Sequence, residues 1–272
     1  MPSLEGCFIK LGRASKHRKE LDAVLGPALD AIREGVVTET TYDKDAQEFV
    51  VRLVYAPGIP PGVSAIAGDV IHNLRSALDS AAYQAVWKNR GKRWSRSSFP
   101  LVGRPCRFSK EHLVLFRRLG PDFDAIVKRH QPYEREDDYR REGLAFDLKE
   151  IIDLRNANRP LGVLRDLSNW DKHRLLLPRY AAMEDASFGV KWARDCDPVL
   201  SRWQRGGLLI AGADNWLAAF SANPTSQHKP EMEVEFDFRP SVDLGGAGDS
   251  QEVLDALAVK VLRVIREFEP LF

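Results

Sequence analysis

Cysteine is scarce in this chain. Only Cys7, Cys106 and Cys196 occur in 272 residues, far apart and with no CxxC pair. That argues against a disulfide framework or a zinc knuckle and fits a reducing compartment. An excess of either charge is also missing, since 40 Lys and Arg face 39 Asp and Glu, for a net +1. No global field then draws the chain to nucleic acid or to a membrane, so any nucleic-acid contact needs a local basic patch. No apolar run approaches the ~20 residues of a membrane span, and too few apolar residues precede Cys7 for a signal peptide. A cytoplasmic protein with no membrane partner is expected. There is no HExxH, no clustered ligand set and no dinucleotide fingerprint, and no lysine follows "GGAG" at 245–248. Neither a metal nor a cofactor is expected.

What is present is apolar pattern. Hydrophobic residues make up 44% of the chain, enough for a large core. Leu21, Val24, Leu25, Leu29 and Ile32 recur at three and four and predict an amphipathic helix over about 11–33, with Pro27 inside it. "VVTETTYDKDAQEFVVRLVYA" predicts two strands around an Asp-Lys-Asp turn, and "PGIPPG" at 57–62 a rigid connector. "SKEHLVLFRRL" predicts a short helix capped by Ser109. "QPYEREDDYRREG" from residue 131 reads as an exposed loop. "FDLKEIIDLRNANRP" predicts a helix ending near Asn158, with a new one starting at Pro160. After Pro178 come short Val-, Phe- and Trp-rich segments such as "EMEVEFDF", which alternates like a half-buried strand. The last helix has Val253, Leu257, Val261, Leu262, Ile265 and Phe268 as its expected core face, with Asp249 and Glu252 at capping-box spacing. The expected class is α+β: a helical first part with an early β-hairpin, an antiparallel sheet in the second part and a closing C-terminal helix, interleaved as one domain over 1–272.

"GDVIHNLRSALDSAAYQAVW", residues 68–87, is an apolar helix pattern carrying a polar stripe. At 100° per residue, Val70, Leu74, Ala77, Leu78, Ala81 and Ala85 share one arc. His72, Arg75, Ser76, Asp79 and Tyr83 share a second arc beside it, with Arg75 and Asp79 an i,i+4 pair. Read as a site, His72 is an acid or base, and Asp79 fixes Arg75 so that it presents donors to an anion. Read as plain structure, the stripe pairs with itself and with water.

"NWDKHR", residues 169–174, packs Asn169, Asp171, Lys172, His173 and Arg174 just before the apolar "LLLP". Ionisable groups at a core edge are where pKa values shift and chemistry concentrates. A helix C-terminus also gathers cations for its dipole alone. "RGKRWSR" at 90–96 is a basic loop with Trp94, able in principle to hold a phosphate and stack a base, though such loops are more often simply solvated.

"HNLRSALD" followed about 90 residues later by "DKHR", with "QPY" at 131–133 between them, resembles a family of uncharacterised bacterial and phage-associated proteins over roughly residues 65–178. In that family's usual pattern a histidine stands where this chain has Ser80. The resulting Arg-x4-His spacing is similar to the motif of HEPN-domain proteins, metal-independent ribonucleases, which implies nucleic-acid chemistry and an all-helical domain.

Together these readings lead to one polar site where the 72–79 stripe meets the 169–174 stretch. Arg75, Asp79, Asp171, Lys172 and Arg174 would bind a phosphate-bearing ligand, RNA or a nucleotide. His72 or His173 would serve as acid or base if a phosphodiester is cleaved. The alternative is a non-catalytic interaction module in which Arg75, Asp79, Asp171 and His173 satisfy one another as a buried polar network.

Overall fold

The computed structural model describes residues 1–35, 37–55, 58–95, 97–104, 109–133, 148–173, 178–182, 187–192, 199–203, 208–209, 216–221, 232–237, 240–244 and 249–272. The architecture is α+β, with an early antiparallel hairpin and a C-terminal helix. Expected as one interleaved domain over 1–272, the chain divides into two compact units, each discontinuous in sequence. The first comprises Met1–Leu21, Ser64–Leu176 and Gln251–Phe272, the second Asp22–Val63 and Leu177–Ser250.

The second unit holds the strands. β1 (Val37–Asp43) and β2 (Glu48–Tyr55) pair antiparallel, with Tyr42 opposite Phe49 and their rings 4.8 Å apart. The turn forms because Asp43 Oδ1 accepts from the backbone N–H of Asp45 at 3.0 Å and of Ala46 at 3.1 Å, the local bonding that places aspartate at turn starts. β2 also pairs with β7 (Trp216–Ser221), which pairs in turn with β5 (Val199–Trp203). β3 (Pro178–Ala182) lies between β6 (Leu208–Leu209) and β9 (Pro240–Leu244), and β4 (Ser187–Trp192) pairs with β8 (Met232–Asp237).

The first unit is helical. α1 (Glu5–Gly35) enters it with its first turns and extends beyond the predicted helix at both ends. α2 (Gly62–Arg90) begins directly after the proline-rich connector. All six residues of its expected core arc are buried, and so are Ile71, Ala82 and Val86, so the apolar surface is wider than that arc. A helix apolar over most of its circumference belongs inside a bundle. α3 (Lys110–Leu119) carries the expected Ser109 cap: Ser109 Oγ accepts from His112 N at 3.2 Å, and His112 Nδ1 accepts from Ser109 N at 3.2 Å. α4 (Pro121–Arg129) follows at once. Between them Gly120 has φ +81°, and a Cβ there would stand 2.8 Å from Asn89 Oδ1. Only glycine suits both the turn and the approach.

Two expectations change here. The predicted break at Asn158 is absent, because α5 (Leu148–His173) runs straight through Pro160. Proline removes one ladder bond and costs about 3 kcal/mol in a helix interior. Packing on both sides outweighs that: Leu161, Leu164 and Leu167 are buried, and the buried Asn158 donates to Arg129 O at 2.7 Å and Gln131 O at 3.1 Å. The loop expected from residue 131 is not exposed at its start, for Gln131 and Tyr133 are both buried; its remainder, from residue 134, lies outside the described residues.

α6 (Ser250–Phe268) packs through Leu254, Leu257, Val261, Val264, Ile265 and Phe268. Its core face is turned slightly from the predicted one. Val253 and Leu262 are only half-buried, while Lys260 is buried.

Candidate functional site

α2 and α5 approach each other in the first unit. A Cβ on Gly68 would stand 2.5 Å from Asp171 Oδ1, so glycine is what lets that carboxylate reach the α2 backbone. Two turns further along α2, Arg75 meets the preceding turns of α5. Arg75, Arg165, Ser168 and Asn169 line one cleft of about 170 Å³ with Leu101 and His112. The two polar stretches singled out from sequence thus approach each other along one helix–helix contact.

Within that contact Arg75 and Asp79 act as a pincer. Arg75 Nη2 lies 3.1 Å from Asp79 Oδ1 and donates to the carbonyl of Phe99 at 2.5 Å. Asp79 Oδ1 accepts from the Phe99 N–H at 2.8 Å. The pair satisfies both backbone groups of a residue that is completely buried, where an unpaired peptide would be costly. A strand neighbour makes the same two bonds in a sheet; here one turn of helix supplies them.

The rest of the stripe disperses. Ser76 Oγ accepts a bond from Lys10 on α1, and Tyr83 packs edge-on against Trp87 with ring centres 6.4 Å apart. His72 is exposed and does not line the cleft. Lys172 and His173 complete α5, but their side chains, like all of Arg174, lie outside the described residues. In the basic loop, Arg93 stacks on Trp87 with its guanidinium carbon 4.5 Å from the ring centre, and Arg118 covers Trp94 at 4.7 Å. One face of Trp94 is therefore already occupied within the fold.

Chemically, the cleft offers two guanidinium groups, an imidazole, a hydroxyl and an amide around a space fit for a small anion. Only Nη2 of Arg75 is used by the pincer. Arg165 makes a bidentate pair with the adjacent Asp166, at 2.8 and 3.2 Å. No group of three or more His, Cys, Asp or Glu that could hold a metal occurs among the described residues.

A second polar cluster gives little sequence signal. Lys260 Nζ donates to Asn158 Oδ1 at 2.6 Å and lies 3.1 Å from His130 Nδ1. His130 Nε2 faces Glu267 Oε2 at 3.0 Å. Beside them Gln131 Nε2 donates to Pro100 O at 2.9 Å and Val127 O at 2.8 Å, while its Oε1 accepts from Val102 N at 3.1 Å. Burial lowers the Lys260 pKa to about 8, assisted by nearby Arg263. Burial likewise lowers His130, and the approach of His130 lowers Glu267 against the opposing effect of burial. Lys260 sits at a core position of an amphipathic helix, and its partners come from segments distant in sequence.

No helix among the described residues is long and apolar enough to cross a membrane. Neither a family model, nor a curated protein, nor a solved structure matches the chain.

Proposed function

We propose that the chain binds a phosphate-bearing ligand, RNA or a nucleotide, and seats a phosphate in the cleft between α2 and α5. The observation that supports this is the convergence of Arg75 and Arg165 with His112, Ser168 and Asn169, from three helices, on one small recess. Guanidinium groups suit phosphate because their forked donors match its oxygens. His173, one turn beyond Asn169 on α5, or His72 would supply the acid or base if a phosphodiester is cut without metal. Short single-stranded RNA incubated with the native chain in excess chelator tests both parts. Cleavage that disappears in His173→Ala supports the enzyme reading, and binding without cleavage leaves a binding protein. If neither RNA nor a nucleotide binds, the proposal is wrong.

A second reading has its own observation. The Arg75–Asp79 pincer on Phe99 and the seat of Asp171 against Gly68 are what a purely structural network would contain. In that case the protein is a non-catalytic interaction module. Arg165→Ala then changes no binding, because there is none.

A further inference from the structure

A larger recess opens elsewhere in the first unit. It measures about 610 Å³, within the range of small-molecule sites, and lies between α4 and α6. Ile126, Val259, Leu262 and Pro270 provide its apolar surface, and Val259 stands 69% exposed there. Arg129 from the last turn of α4 and Arg263 and Arg266 from α6 surround it, with Glu267 as the one acidic side chain. We propose that this groove is an anion site separate from the α2/α5 cleft, taking a small molecule with an apolar body and a single phosphate or carboxylate head.

Charge favours an anion, because three guanidinium groups face one carboxylate. The carboxylate itself shows how the head would bind. Glu267 lies 3.4 Å from Arg129 Nη1 and 3.7 Å from Arg263 Nε, both long for ion pairs, and those arginine side chains are largely exposed. Exposed pairs of this kind contribute little and exchange readily. The buried His130 also stands close, its Nε2 3.0 Å from Glu267 Oε2 but outside hydrogen-bonding geometry, with Lys260 and Asn158 behind it. An incoming anion would take Arg263 and Arg266 first, because neither hydrogen-bonds Glu267, and would then compete with Glu267 for Arg129. Until then Glu267 keeps the guanidinium groups turned toward the groove. Arg266 makes no bond or ion pair among the described residues. The exposed valine and its apolar neighbours would cover the body of the ligand, an area otherwise left in water.

The buried cluster makes the site rigid where it needs to be. Lysine and histidine in a core cost stability unless they do something there that an apolar pair cannot. Here His130 faces one carboxylate at the edge of the groove, with Lys260 behind it. Glu267 is thus a positioning residue, and the arginines are the binding residues.

Hexyl phosphate tests the idea, because inorganic phosphate and hexanol carry its two halves. In calorimetry with the full chain, hexyl phosphate is expected to bind about tenfold or more tightly than inorganic phosphate, with no detectable binding of hexanol. Arg263→Ala with Arg266→Ala is expected to lower that affinity by a further factor of about ten, and both sites are exposed enough for the fold to survive. Val259→Asp, also exposed, places a carboxylate in the groove and is expected to weaken binding without shifting the melting temperature. Native-like affinity in both variants, or equal binding of hexyl and inorganic phosphate, overturns the proposal. Arg165→Ala reads the α2/α5 cleft independently, so failure of one site is distinguishable from failure of the other.

Discussion

The α2/α5 contact and the α4/α6 groove both set arginines around a recess, yet they handle charge in opposite ways. At α2/α5 the ion pair turns inward: Arg75 and Asp79 spend their strongest bonds on the peptide of Phe99. At α4/α6 the arginines stay at the surface, and the inward-facing groups are Lys260, His130 and Asn158, of which His130 faces a single carboxylate. The first arrangement satisfies a backbone that would otherwise be orphaned, through Nη2 of Arg75 and Oδ1 of Asp79. The second buries titratable groups that a core of leucines would not need. A polar stripe on a helix is therefore weak grounds for a site until its partners are known, whereas a buried lysine beneath an open groove is stronger grounds.

The contrast can be broken most sharply at Gln131. Its side chain makes three bonds to main-chain groups of Pro100, Val102 and Val127 in a completely buried position. Gln131→Leu leaves them unpaired and should destabilise the fold by about 4 kcal/mol, read from chemical denaturation. A loss below about 1 kcal/mol would mean that these bonds do not hold α4 to the segment at 100–102.

Lys260 sharpens it next. Its pKa falls from 10.5 in the unfolded chain to about 8 in the fold. Between those values the unfolded chain holds more protons, so this residue's penalty is fully present below pH 8 and relieved as pH rises toward 10.5. The native chain should therefore gain stability relative to Lys260→Met over that window, by something on the order of 2–3 kcal/mol. Cys7, whose buried thiol is raised to about 11, acts in the opposite direction but equally in both proteins. A pH-independent difference would show that Lys260 does not titrate as the buried cluster requires.

The smallest effect is at Gly68. Alanine in a helix interior usually adds up to about 1 kcal/mol over glycine, but here its Cβ would meet Asp171 Oδ1 at 2.5 Å. Gly68→Ala should be neutral or destabilising alone and stabilising once Asp171→Ala removes the carboxylate. The same sign in both backgrounds would separate α2 from α5 at this point.

Much of this was legible from the residues. The core arc of α2, the hairpin turn at Asp43 and the Ser109 cap follow from periodicity and local bonding, which depend on near neighbours in sequence. The polar stripe was visible too, whereas its meeting with the 169–174 stretch was an expectation that no pattern in the residues fixes. Its employment on Phe99 was not visible, because that partner lies 20 to 24 residues away in an irregular segment with no pattern. Pro160 misled for a related reason: tertiary burial of Asn158 and the leucines after it outweighs a local rule. Lys260 was illegible because a single lysine on an amphipathic helix normally marks the wet side, and its partners His130 and Asn158 are over 100 residues away.

The division of labour at α2/α5 is the centre of the account, and two variants measured side by side test it most directly. Melting temperature and affinity for a short single-stranded RNA would be compared for Asp79→Ala and Arg165→Ala. Asp79→Ala orphans the Phe99 N–H and should cost about 2 kcal/mol, with a clearly lower melting temperature. Arg165→Ala should lose less stability than Asp79→Ala, because its pair is with the half-exposed carboxylate of its chain neighbour and not with a buried peptide, and should bind RNA about tenfold more weakly. The opposite outcome, a native melting temperature for Asp79→Ala and native affinity for Arg165→Ala, would contradict the account.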